Sequence, residues 1–188
     1  MIDPTLCVRC DLCLSRKHVV VGEGSLNADM VFIGEAPGHT EDKLGRPFVG
    51  RAGKLIDYYL NYYGWDRKDI YITNVIKCKT PRNRAPSPSE ISKCKEYLID
   101  ELNTIKPKII VLFGNTAIAT ITGYDNKVKK LAGKPFIYKN MLIIPMYHPS
   151  YMLRNKELIH IYEKHWKIIF AYFSKLVPNY EFKPLSNG

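Results

Sequence analysis

No stretch of this chain approaches the roughly 20 consecutive apolar residues of a membrane-spanning helix. The first residues include Asp3 and Arg9 and lack the apolar run of a secretory leader. The expectation is a soluble, cytoplasmic protein. There is no internal repeat and no low-complexity segment, which excludes solenoid, propeller and fibrous architectures. Acids are scarce beside bases: 18 Asp and Glu against 28 Lys and Arg, for a formal net charge of +10 in 188 residues. Such an excess suits a polyanionic partner, usually nucleic acid. A solvated, lysine-rich surface of the kind seen in thermophile proteins is the alternative reading. In a reducing compartment structural disulfides are rare, so the five cysteines require another explanation.

What is present is one strand–loop–helix unit around which the chain is organised. Residues 30–33 form a short apolar run that reads as a buried strand. It breaks into a loop containing Gly34, Pro37, Gly38, Gly45 and Gly50, three acids (Glu35, Glu41 and Asp42) and Phe48. Such a loop, feeding a helix, is where α/β proteins receive anionic or polar ligands. Downstream, Leu55, Ile56, Tyr59, Leu60 and Tyr63 recur at helical spacing over residues 53–63, with Gly64 as the stop. Residues 70–75 and 108–113 read as further buried strands. A helix is expected to open at Ser87-Pro88 with Glu90 closing a capping box. A short helix over 116–122 and a basic loop over 123–133 follow. Residues 135–138 and 141–146 pair as a hairpin about Lys139-Asn140, and a helix over 157–176 closes the chain. Strands alternating with helices predict a single-domain three-layer α/β/α sandwich with a mostly parallel four-stranded sheet, and residues 177–188 as a frayed tail.

Parallel strands end on one crevice, so Gly34–Gly38, Asn74 and His148, each at a predicted strand end, should converge. His148 can stabilise negative charge on a departing group. Asn74 carries a planar amide suited to a nucleobase edge, although an Asx turn would also place it there. Phe48 can stack on a flat ligand or simply pack. The other histidines, His18, His39, His160 and His165, read as surface or packing residues. Cys7 and Cys10 form a Cys-x-x-Cys pair that Cys78 and Cys94 can complete to four ligands, leaving Cys13 spare. The spacing fits zinc or an iron–sulfur cluster. Cys94 also fits a buried apolar helix face. Basic residues in 77–84 and 127–134 can contact phosphates.

Taken in order, these pieces resemble the family 4 uracil-DNA glycosylases. The resemblance rests on Cys7-x-x-Cys10-x-Leu12 with Arg16 and Gly22-Glu-Gly24, and on Gly34-Glu-Ala-Pro-Gly38 with Glu41-Asp42. It extends through Gly45-Arg-Pro-Phe-Val-Gly50, Thr73-Asn-Val-Ile-Lys-Cys78, Asn83-Arg-Ala-Pro86 and His148-Pro-Ser-Tyr-Met-Leu-Arg154. It implies hydrolysis of the uracil–deoxyribose bond in DNA, with release of uracil; single- or double-stranded DNA is the expected partner and a monomer the expected state. It also implies a structural 4Fe–4S cluster on Cys7, Cys10, Cys78 and Cys94. By the same resemblance Phe48 stacks on the flipped base, and Asn74 reads its edge. The backbone of Glu35 and Ala36 holds a carbonyl oxygen, and His148 stabilises the leaving anion. Arg82, Arg84, Ser150, Leu153 and Arg154 contact DNA, Met152, Leu153 and Arg154 filling the gap in the base stack. Related family 1 enzymes carry an aspartate where this chain has Ala36, so the water-orienting acid falls to Glu41 first and Glu35 second. A non-catalytic cluster-bearing DNA-binding module and a glycosylase of broader deaminated-base range are the other readings.

Overall fold

The computed structural model describes residues 1–124 and 128–182. In chain order the elements are β1 (Glu23–Gly24), β2 (Met30–Gly34), α1 (His39–Leu44), α2 (Arg51–Tyr62), β3 (Tyr71–Asn74), α3 (Pro88–Ile105) and β4 (Ile109–Phe113). They continue as α4 (Asn115–Thr122), α5 (Val128–Leu131), β5 (Phe136–Tyr138), β6 (Met141–Met146), α6 (Pro149–Arg154) and α7 (Ile159–Leu176). The strands form one sheet in the order β1-β3-β2-β4-β6-β5. The inner four are parallel, and the two edge strands run antiparallel to their neighbours.

The expected four-stranded sheet is therefore the parallel centre of a six-stranded one. Strand β5 is the first arm of the expected hairpin. Strand β1 pairs only two residues with β3 and is too short to leave an alternation in the sequence. Three short helices were also invisible to periodicity. In α1 the sequence His-Thr-Glu-Asp-Lys-Leu has no apolar stripe; the helix stands because Gly38 opens it and Gly45, at φ 71°, closes it. Helix α5 lies in the segment read as a basic loop, and α6 follows directly on His148. Lys127 and residues 183–188 of the expected tail lie outside the described residues. Helix α2 starts at Arg51 rather than residue 53. The last helix starts at Ile159, after a 3-10 turn at Lys156–Leu158.

Alternation along the inner strands builds the three layers. Met30, Phe32, Ile109, Val111, Phe113, Ile144 and Met146 face a core shared with Tyr59 and Leu60 of α2 and Tyr162, Trp166 and Phe173 of α7. Val31, Ile33, Ile110, Leu112 and Ile143 face the opposite core, closed by Leu98 and Leu102 of α3 and Ile118 of α4. Because both faces are covered, the inner strands are apolar nearly throughout. The first core is aromatic: the Tyr59 ring stacks on Trp166 at 4.9 Å, and Phe32 meets Phe113 edge-on at 5.5 Å. Two terminal devices act as the residues foretell. Ser87 accepts the Glu90 amide at 3.2 Å while the Glu90 carboxylate takes the Ser87 amide at 2.7 Å. After α2, Gly64 bonds Asn61 and Trp65 bonds Leu60, a Schellman ending with Gly64 at φ 73°.

Candidate active site

The four parallel strands end on one cavity of about 600 Å³. Strand β2 delivers residues 35–38, β3 delivers Asn74, β4 delivers Phe113 and Gly114, and β6 delivers Tyr147 and His148. The convergence expected of the loop 34–38, Asn74 and His148 is thus present through residues 35–38, and Glu41 and Phe48 border the same space. Gly34 makes it possible. A Cβ there would lie 2.4 Å from the Phe48 ring and 2.5 Å from Asn74 Oδ1.

Asn74 is 2% exposed, and its Oδ1 is sealed from solvent with no hydrogen-bond partner among the described residues. Leaving a buried polar oxygen unmet costs about 1–3 kcal/mol. Asn74 also borders the cavity, and a ligand that brings an N–H is the kind of partner this oxygen lacks. Phe48 is nearly buried beside it, its ring 5.9 Å from that of His148 and inclined by 29°.

His148 caps α6. Its Nδ1 accepts the Ser150 amide at 3.2 Å and lies 2.8 Å from Ser150 Oγ. With Nδ1 used as an acceptor, the neutral ring carries its proton on Nε2. Burial pushes the imidazole down to about 4, and like charge on Arg154 adds to the effect. At neutral pH the ring is an uncharged hydrogen-bond donor.

The two candidate acids are held differently. Glu41 is buried on α1, and its Oε1 accepts the amides of Val49 (3.0 Å) and Gly50 (2.6 Å) at the start of α2. It fits there because residues 38 and 50 are glycines; a Cβ at Gly38 would come 2.7 Å from Oε2. Glu35 is half-buried, and its Oε2 accepts the Thr116 hydroxyl from α4.

Beneath Asn74 lies a buried ion pair. Lys77 Nζ donates to Glu101 Oε2 (2.7 Å), Thr73 Oγ1 (2.6 Å) and the Asn74 carbonyl (3.0 Å), which uses all three of its protons. The Lys77 amide donates to Cys94 Sγ at 3.3 Å. Lys77 therefore ties the cysteine lobe to the residue at the cavity wall. Neither Lys77 nor Glu101 stands out in the sequence, because a lysine after a strand reads as surface and a glutamate in a helix as solvated.

Cys7, Cys10, Cys78 and Cys94 border a second pocket, and Cys13 does not. Arg16 Nη1 lies 3.6 Å from Cys78 Sγ. Donors on two of the four sulfurs suit thiolates that share a bound metal group. Among the described residues, no three His, Cys, Asp or Glu side chains are placed to hold a single metal ion.

The proposed DNA contacts divide. Arg84, Ser150 and Arg154 border the cavity, with Asn83 and Lys129 beside them, while Arg82 and Leu153 do not. Arg84 is clamped by Glu90 through bonds of 2.8 and 2.6 Å. Met152 is corrected: it is 1% exposed and packed in the aromatic core, so it cannot enter a base stack. Its spacing from His148 misled because α6 turns that position inward. Tyr147 and Tyr151, stacked at 5.4 Å and bordering the cavity, had no assigned role.

The profile described as Uracil DNA glycosylase superfamily matches residues 21–173. The chain is 45% identical over 152 residues to the Type-4 uracil-DNA glycosylase of Thermotoga maritima, covering 80% of this chain and 79% of that one. It is 40% identical over 171 residues to the Type-4 enzyme of Archaeoglobus fulgidus, covering 87% and 86% respectively. A Type-4 enzyme of Sulfurisphaera tokodaii is 40% identical over 172 residues, 87% of this chain and 78% of that one.

Two predictions follow from the buried groups. Lys77→Met strips the cation from buried Glu101 and should destabilise the fold by about 3–5 kcal/mol, whereas Lys77→Met with Glu101→Leu should recover most of that loss. Chemical denaturation of the three proteins checks it, and equal stability of the single and double variants would refute it. For His148, the unfolded ring titrates near its ordinary 6.5 and the folded one near about 4. Between those values the unfolded chain binds a proton that the folded chain refuses, so this residue's contribution makes stability fall on acidification from about pH 6.5 to about 4. NMR of the His148 ring should show a midpoint near 4; a midpoint near 6.5 contradicts the assignment.

Proposed function

The chain belongs to the uracil DNA glycosylase superfamily, and we propose that its cavity excises uracil from DNA by hydrolysing the bond between the base and deoxyribose, leaving an abasic site for repair. The observation that carries the reading is the sealed, unpartnered Asn74 Oδ1 beside the Phe48 ring. Uracil presents N3–H next to a carbonyl, and a side-chain amide meets both. Cytosine presents an acceptor at N3 and an amine beside it, which leaves the Asn74 oxygen facing a lone pair. Discrimination built on a buried hydrogen-bonding group is strong because the wrong ligand leaves that group unpaired.

The base is out of reach inside a duplex, so the nucleotide is flipped into the cavity at a cost of a few kcal/mol, least at a mismatch or in a single strand. Phe48 stacks on it, and the backbone of Glu35 and Ala36 receives a carbonyl oxygen. As the C1′–N1 bond breaks, its electron pair leaves on the base, and negative charge grows on the uracil carbonyl. His148, neutral with its proton on Nε2, donates a hydrogen bond to that oxygen. A neutral donor suits the task, because it stabilises the anion without first having to gain a proton. The sugar becomes cationic at C1′. Water adds there and loses its proton to the solvent or to the departing base. Glu41 is the acid we assign to orient that water, since two amides fix its Oε1 and Oε2 accepts nothing among the described residues. Glu35, held through one oxygen by the single Thr116 hydroxyl rather than by two backbone amides, is the second choice. Arg154, Ser150 and Arg84 border the mouth, and with Arg82 and Leu153 they are the residues we assign to DNA. The enzyme acts inside the cell as a monomer.

We further assign a 4Fe–4S cluster to Cys7, Cys10, Cys78 and Cys94. The assignment follows the family resemblance, and what supports it is that these four cysteines border one pocket that Cys13 does not reach, with Arg16 and the Lys77 amide on two of the sulfurs. Its role would be structural: when bound, it would hold the loop between Cys78 and Cys94, whose Asn83 and Arg84 border the cavity.

Incubation with a uracil-containing oligonucleotide, followed by alkali, should break the strand at the uracil and not at cytosine; an intact strand sinks the proposal. In the same assay His148→Ala should slow cleavage at least a hundredfold, the scale of losing one donor to a developing anion, and a wild-type rate would remove His148 from the mechanism. The purified protein should be brown. Replacing any of the four cysteines with serine should bleach it, whereas Cys13→Ser should not; a colourless protein carrying zinc overturns the cluster.

A further inference from the structure

Residues 47–50 carry the Phe48 ring to the cavity, and their backbone is gripped from both sides. Phe48 has φ 48°, a left-handed conformation that a bulky residue adopts only where its surroundings impose it. On the amide side, Glu41 takes the N–H groups of Val49 and Gly50. On the carbonyl side, a guanidinium reaches in from the 3-10 turn Arg67–Asp69 that follows α2. Arg67 Nη2 donates to the Pro47 carbonyl at 2.5 Å, and Nη1 donates to the Phe48 carbonyl at 3.1 Å.

The guanidinium is itself anchored. Nη1 donates to Asp57 of α2 at 2.7 Å, and Nε lies 3.6 Å from Glu23 of β1. Glu23 is in turn held by two bonds of 2.7 Å from Arg46. Gly53 closes the arrangement from below, since a Cβ there would lie 1.7 Å from the Phe48 carbonyl oxygen. Arg67 does not border the cavity, and the bonds of its fork run to Pro47, Phe48 and Asp57. Any effect it has on the base therefore passes through residues 47 and 48.

We propose that Arg67 is a positioning residue for uracil recognition, fixing the plane of the Phe48 ring by holding the carbonyls of Pro47 and Phe48. The inference rests on the reading of Phe48 as the stacking wall. A lysine cannot replace the arginine, because one ammonium lacks the rigid fork that meets two successive carbonyls and a carboxylate together.

A double-mutant cycle tests it, with the inhibition constant of free uracil as the readout. Arg67→Lys and Arg67→Met should each weaken uracil binding about tenfold, the scale of one lost base–aromatic stack, while affinity for uracil-free duplex stays at the wild-type value. In a Phe48→Ala background neither change should weaken uracil further. Losses that multiply in that background, or uracil affinity within twofold of wild type in Arg67→Lys, overturn the proposal. Should Arg67→Met unfold at the assay temperature, Arg67→Lys carries the test alone. A wild-type protein that leaves uracil DNA intact refutes the glycosylase reading instead, and the two failures are distinguishable.

Discussion

The missing side chain of Gly34 is the constraint on which this site depends. At the C-terminal end of β2, the space a methyl group would fill is shared by the Phe48 ring and the Asn74 amide oxygen. Parallel pairing brings Asn74 level with Gly34 in the register of β2 and β3. An ordinary side chain there would push apart the Phe48 ring and the Asn74 amide. The sheet thus supplies position and the glycine supplies room, and neither brings the ring and the amide together without the other.

Around that point the polar groups form two supports. The first runs from Cys94 through the Lys77 amide, and from the Lys77 ammonium to the Asn74 carbonyl and Glu101. A buried ion pair seldom adds net stability over an apolar replacement, because both charges lose their hydration. Its worth here is geometric: three acceptors in fixed directions hold the backbone on either side of Asn74. The second support encloses residues 47–50, with Glu41 on the amides and Arg67 on the carbonyls. A left-handed bulky residue costs about 1–3 kcal/mol, and charge-assisted bonds on both sides offset a penalty of that size.

The parts legible in the sequence are those with a local cause. The inner strands are legible because both of their faces are buried, and α3 because its capping box is written in Ser87 and Glu90. The convergence of Asn74, His148 and the glycine loop is legible because parallel strand ends share one crevice. What stays hidden depends on distant partners. Helix α1 has no apolar period, and β1 is two residues long. Arg67 and Lys77 look like ordinary surface bases until the fold sets them among carbonyls. Met152 shows the opposite error, since adjacency to a site residue says nothing of the side to which a helix turns the next one.

The charge distribution brings these points together. A protein of net charge +10 keeps Glu35 and Glu41 at its cavity and sets Arg84, Lys129 and Arg154 along the same border. A polyanion is drawn by the bases, yet a phosphate entering the cavity would meet two carboxylates and a neutral imidazole. The flat, uncharged face of a base meets no such repulsion, and positive charge developing on the attached sugar is favoured by the same acids. On the proposed reading, the arrangement draws the backbone to the mouth and leaves the interior to a base. The neutrality of His148 fits the proposed mechanism: a charged imidazole would pair with a carboxylate or hold a phosphate, whereas an uncharged one with its proton on Nε2 is the donor that mechanism asks for at an oxygen turning negative.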